Sequence, residues 1–89
     1  RGAEADIAPL RTRNGDHEVD LVVVRPDGGV VGVEVKLAAA VSDSDGKHLR
    51  WLRDQLGSRF VDGLIITTGP TAYRRRDGIA VVPLALFGP

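Results

Sequence analysis

Asp20, Glu34 and Lys36 carry charge inside two otherwise apolar, β-branched runs, "HEVDLVVVR" and "VVGVEVKL". Side chains alternate along a strand, so Glu18, Asp20, Val22 and Val24 share one face of the first run, and Val19, Leu21 and Val23 the other. In the second run Glu34 and Lys36 share a face with Gly32, opposite Val31, Val33, Val35 and Leu37. Antiparallel pairing that joins the apolar faces brings Asp20 to the side of Glu34 and Lys36. A one-residue slip would bury charge among valines and is disfavoured. Two registers meet the condition: one sets Asp20 opposite Lys36, the other, two residues along, sets it opposite Glu34. Either lets two carboxylates converge on one small hard cation, which is a metal ion, Lys36, or both. The plainer alternative is a solvated strand face on which Lys36 pairs with Asp20, a contact worth under about 1 kcal/mol.

The elements that must position these groups are legible as turns and periods. "NGD" at 14–16 and Pro26-Asp27-Gly28-Gly29 are turn signals that bound the first run. "IAPLRTR" suits an edge strand, where the missing N–H of Pro9 is tolerated. After the second run the period changes, and Leu49, Leu52 and Leu56 predict a helix over about 44–56 that Gly57 ends. "VDGLIITTG" reads as a strand covered on both faces, "TAYRRRDG" as a polar connection, and "IAVVPLALF" as a last strand that Pro83 interrupts. The order β-β-β-α-β-β describes an α/β (α+β) domain with a mixed sheet and one main covering helix.

Composition narrows the function classes. A chain of 89 residues makes one domain, 1–89, that buries about 60–65% of its unfolded surface. It has no cysteine, which excludes disulfides and thiolate catalysis and agrees with a reducing, cytoplasmic setting. No apolar run approaches the roughly 20 residues that cross a bilayer, so no membrane association is expected. Twelve basic and twelve acidic residues cancel, so any attraction to a polyanion must come from local patches. The chain starts at Arg1 and has no methionine; it is expected to be a piece of a longer protein.

Asp20 on one strand, followed by Glu34-Val35-Lys36 on the next, resembles the D…(D/E)xK core of the PD-(D/E)XK nuclease superfamily. More narrowly, "RTRNGDHEVDLVVVRPDGGVVGVEVKL" is similar to a C-terminal domain of unknown function found behind the P-loop ATPase module of bacterial AAA-type ATPases. "FVDGLIITTG" and "GIAVVPLALF" continue the likeness, which covers about residues 8–87. The resemblance implies a restriction-endonuclease-like core, αβββαβ, whose first helix is largely absent from this chain. It implies Asp20 and Glu34 as ligands of Mg²⁺ (or Mn²⁺) and Lys36 as the group that orients the attacking water and stabilises charge on the phosphate. Val35 would point into the core. The family often draws another acid from the first helix, for which Glu4 is the stand-in here, and Val19 occupies the place of the motif's proline. The implied function is metal-dependent binding or cleavage of DNA phosphodiesters. The alternative is a catalytically silent module that regulates the upstream ATPase domain, docks a partner, or forms a homodimer. No G-x-x-x-x-G-K-[ST] occurs, so ATP binding by a P-loop lies outside this chain.

Further candidates for gripping a nucleic-acid backbone are the basic run Arg74, Arg75 and Arg76 with Tyr73 beside it, and the pair Arg11 and Arg13. A solvated loop is the alternative for the first group, and simple charge balance against Glu18 or Asp20 for the second. His17 and His48 lack zinc-ligand spacing and read as structural or surface residues, and Trp51 as core edge. No serine stands in a nucleophile elbow.

Overall fold

Arg25-Pro26-Asp27-Gly28 closes the central hairpin. Gly28 N donates to Arg25 O, Arg25 N donates to Gly29 O, and Gly28 takes a φ of 89°, which a residue without a Cβ adopts freely. In the computed structural model, which describes residues 4–88, this hairpin joins β2 (Glu18–Val24) to β3 (Val30–Lys36). β1 (Asp6–Arg11) pairs antiparallel with β2 at the sheet edge, and Pro9, which has no N–H to give, falls at a break in that pairing. After β3 a 3₁₀ turn, Asp43–Gly46, leads into α1 (Lys47–Leu56). The chain returns as β4 (Phe60–Thr67), parallel to β3. A second hairpin of β5 (Tyr73–Arg74) and β6 (Ala80–Pro83) completes a six-stranded mixed sheet of order β1-β2-β3-β4-β6-β5. Past Pro83 the chain turns into a 3₁₀ segment, Leu84–Phe87, rather than extending the strand.

The core lies between α1 and one face of the sheet. Leu49 and Leu52 of the helix are buried against Val19, Val30, Ile65, Ile79 and Val81. Gly32 lets the helix approach: a Cβ there would sit 2.8 Å from a Leu49 methyl and 2.9 Å from a Leu52 methyl. Gly57 ends α1 with a φ of 56°. The opposite face has no helix over it. β4 was expected to be covered on both faces, but Leu64 and Ile66 are only half-buried on that side. Ile7, Leu21 and Val35 there remain 63%, 40% and 45% exposed. Val35 therefore points away from the core, contrary to expectation, because its strand places Glu34 and Lys36 on the helix side. Among the described residues no helix is long and apolar enough to cross a membrane.

Two further differences have local causes. "TAYRRRDG" is not a plain connection: Tyr73 and Arg74 pair with Val81 and Ala80, and Arg75-Arg76-Asp77-Gly78 repeats the bonds of the central turn. Val19, expected beside Leu21 and Val23, is buried with the helix-facing residues. Between Leu10–Val19 and Ala8–Val22 the register with β1 shifts, so Asp20 and Leu21 together oppose Pro9 in a bulge.

Candidate active site

The β2–β3 ladder runs from Val24–Val30 to Leu21–Val33, and of the two registers open to the sequence this is the one that sets Asp20 against Glu34. Beyond Leu21 the side chains take over from the backbone. Glu34 Oε1 accepts from Asp20 N at 2.8 Å, and Asp20 Oδ2 accepts from Val35 N at 2.8 Å. Each acid spends one oxygen on an amide of the facing strand and keeps its other oxygen, Oδ1 or Oε2, free of protein donors among the described residues. Burial pushes the Glu34 carboxyl above its ordinary range, its hydrogen bond from Asp20 N pulls the other way, and the charges of Asp20 and Glu18 add to the rise.

Lys36 extends from the same face of β3 as Glu34, but its ammonium is engaged. Nζ lies 2.5 Å from Asp45 Oδ2, in the 3₁₀ turn before α1, and Ser42 N donates to the same oxygen at 2.7 Å. Lys36 first, then the Ser42 amide, hold the Asp45 carboxyl below its usual range. Asp45 is the site residue that the sequence left unmarked; its signal was a carboxylate near the start of a helix preceded by a serine.

Arg11 reaches Glu18 at 3.2 Å beside a pocket lined by Pro9, Leu10, Glu18 and Asp20, while Arg13 lies exposed in the β1–β2 turn. The run 74–76 does not act as one patch. Arg74 pairs with Asp62 at 2.8 Å on the helix-free side. Arg75, only 9% exposed, donates to the carbonyls of Ser42 and Asp43 and to Asp77. Arg76 is exposed and makes no ion pair among the described residues. Glu4 is exposed, before the start of β1. His17 and His48, far apart in sequence, meet with Nδ1 atoms 3.1 Å apart, and the His17 ring stacks on Trp51.

Among the described residues no group of three or more His, Cys, Asp or Glu is arranged to hold a metal ion. The donor set that is present consists of two carboxylates with one free oxygen each, hard ligands of the kind Mg²⁺ and Mn²⁺ take while keeping several waters. The residues fit a divalent cation in that form.

Residues 1–87 match the family described as "Domain of unknown function (DUF4143)". The chain belongs to that family. No curated protein matches it. Among solved structures the domain is similar to the protein of the EndoMS–dsDNA2 complex, at 22% identity and a TM-score of 0.58. That alignment covers 93% of this chain and 38% of the other, so this family member spans well under half of its structural neighbour's length. At such identity the likeness shows the fold: a mixed α/β domain with its helix on one face of the sheet.

Proposed function

We propose that this domain binds nucleic-acid phosphodiesters through a divalent cation held by Asp20 and Glu34, and hydrolyses them with Lys36. One observation carries the reading. Two carboxylates face each other across the β2–β3 pair where the ladder has ended, each bonded to an amide of the opposite strand with its other oxygen free. The more buried one is held above its ordinary pKa by burial and like charge. Such a site gains from a cation, and the nearest lysine is already bound to Asp45. The neighbour's complex with double-stranded DNA supports nucleic acid as the ligand class. When bound, the cation supplies a Lewis acid and a water of lowered pKa. Asp20 and Glu34 fix its position from two strands. Lys36 exchanges Asp45 for a non-bridging phosphate oxygen, and Arg11 and Arg13 at the sheet edge meet the flanking backbone. In the resulting hydrolysis a water oxygen bonds to phosphorus and gives up a proton to solvent, the bond to the sugar oxygen breaks, and that oxygen takes up a proton from solvent. The domain is, in this reading, the C-terminal part of a cytoplasmic bacterial P-loop ATPase.

The test is plasmid cleavage in Mg²⁺ or Mn²⁺ by the 89-residue chain, beside Asp20→Ala and Lys36→Ala. Nicked or linear product from the unmodified chain, reduced at least about a hundredfold in both variants, is the expected result. Equal cleavage by all three proteins, or none by any, rejects the enzymatic reading.

A second reading is favoured by the same bonds seen differently. Asp20 and Glu34 fasten two strands, Lys36 is paired, and the helix-free face leaves Ile7, Leu21 and Val35 exposed. A silent module that docks on its ATPase or pairs with itself has these properties. Calorimetry with Mn²⁺ separates the two, since the silent module releases no binding heat. Sedimentation that shows only monomer at high concentration removes self-pairing.

A further inference from the structure

Beside α1, on the face of the sheet that carries Lys36, lies a cavity of about 540 Å³ whose lining includes Ser42, Arg50, Tyr73, Arg75, Arg76 and Asp77. Its inner wall is fixed. Asp77 Oδ2 accepts from Arg50 at 2.9 Å and from Arg75 at 3.0 Å, and the same guanidinium groups donate to Asp43 O, Arg75 also to Ser42 O. Gly46 leaves room for this cluster: a Cβ there would stand 2.8 Å from an Arg50 nitrogen. Those contacts use up the charge of one arginine and much of the other. Two groups at the mouth have no such employment. Arg76 is exposed with no carboxylate partner among the described residues, and Tyr73 on the edge strand is 47% exposed. The Asp43 carboxyl stands out in solvent, 4.0 Å from Arg75. An exposed guanidinium and an exposed aromatic ring that line one cavity, over a wall fixed by ion pairs, match a flat base that carries a phosphate.

The cavity adjoins the candidate active site through one chain of bonds. Ser42, in its lining, donates its backbone N–H to Asp45, and Asp45 holds Lys36. We infer that this cavity binds one nucleotide unit, its base stacked on Tyr73 and its phosphate on Arg76, next to the phosphodiester at Lys36. The inference rests on the reading of the domain as a nucleic-acid binder and adds which part of the strand it holds and where. The shared chemistry is that of a nucleoside phosphate, either free or within a single strand.

A labelled single-stranded DNA decamer, titrated by fluorescence anisotropy in EDTA, tests the cavity without the cation. Tyr73→Ala and Arg76→Ala should each weaken binding about tenfold, Tyr73→Phe should bind as the unmodified chain does, and all should keep its thermal midpoint. Competition by dAMP would show that a free nucleotide suffices; decamer binding without such competition would show that the unit must belong to a strand. Either supports the site. No decamer binding, or unchanged binding in both alanine variants, overturns it. Because EDTA removes the cation from this measurement and plasmid cleavage requires it, the cavity and the Asp20–Glu34 reading fail separately.

Discussion

Glu34 reaches across the end of the β2–β3 ladder and accepts, through Oε1, the backbone N–H of Asp20 at 2.8 Å, while Asp20 Oδ2 accepts the N–H of Val35. Two acids that could have repelled each other on a strand face are each anchored to the opposite strand. The bulge at Asp20–Leu21 makes this geometry available, because it turns the strand where its ladder with β3 gives out. The cost is concentrated on Glu34, the more buried of the pair.

Glu34→Gln keeps an acceptor for the Asp20 amide and removes the charge. The Glu34 pKa is raised above its ordinary 4.5, mainly by burial. The folded state thus holds that proton more tightly than the unfolded one, and stability falls as pH rises from 4.5 through the raised value. The variant should be more stable than the unmodified chain at neutral pH, by no more than about 1 kcal/mol because solvent screens a half-exposed group. The difference should vanish in acid below 4.5. Thermal unfolding across that range checks it, and a less stable variant at pH 7 would contradict the argument. Added Mn²⁺ should raise the midpoint of the unmodified chain alone.

Asp45→Asn separates fold from chemistry at Lys36. The Asp45 carboxyl is held below 3.8, first by Lys36 and next by the Ser42 amide. Its contribution is therefore present above 3.8 and lost as pH falls through the lowered value. The substitution should cost about 1–2 kcal/mol at pH 7 and nothing once the native carboxyl is protonated. It also releases the Lys36 ammonium, so plasmid cleavage should be at least that of the unmodified chain. Cleavage lost as fully as in Lys36→Ala would mean that Lys36 works only while held by Asp45.

The central hairpin was legible because Pro26-Asp27-Gly28-Gly29 is a turn signal and the flanking runs alternate. The same turn chemistry stands at Arg75-Arg76-Asp77-Gly78, where Asp77 Oδ1 accepts from Ile79 N as Asp27 Oδ1 accepts from Gly29 N. It read as a loop because the strand before it is only Tyr73–Arg74, too short to show a period. The opposition of Asp20 and Glu34 was one of two registers that alternation allowed. The bulge that carries Val19 into the core was not legible, since strict alternation assumes an unbroken ladder. Asp45, Asp62 and Asp77 fix which basic groups are free; only the fold brings Asp45 to Lys36, Asp62 to Arg74 and Asp77 to Arg50, whereas Asp77 meets Arg75 within one turn.

Gly32→Ala tests how closely α1 rides on β3. The added Cβ would fall 2.8–2.9 Å from the methyls of Leu49 and Leu52, both buried, so the helix must shift or the leucines leave their rotamers. Overpacking of this kind should cost about 1–3 kcal/mol. Urea unfolding gives the value. A variant as stable as the unmodified chain would show that the helix yields freely, and with it the placement of Asp45 against Lys36.

His48 supplies a second pH limb on the other side of the molecule's acid range. Its ring meets His17 edge-on with Nδ1 atoms 3.1 Å apart, and His17 stacks on Trp51 at 4.3 Å, tying the β1–β2 turn to α1. One nitrogen must donate and the other accept, so the bond fails when both rings are charged. Burial, then the nearby charges of His17 and Lys47, lower the His48 pKa from 6.5, while Glu18 and Asp20 offset part of the effect. A lowered pKa means that the unfolded chain binds the proton first. Stability from this group is present above 6.5 and is lost as pH falls through the folded value. Midpoints measured from about pH 8 down to 5 should decline for the unmodified chain, and the slope should flatten in His48→Gln, which cannot titrate. Equal slopes in the two proteins would assign the decline to other groups. The His48 ring resonances followed by NMR over the same range then locate the event at that residue.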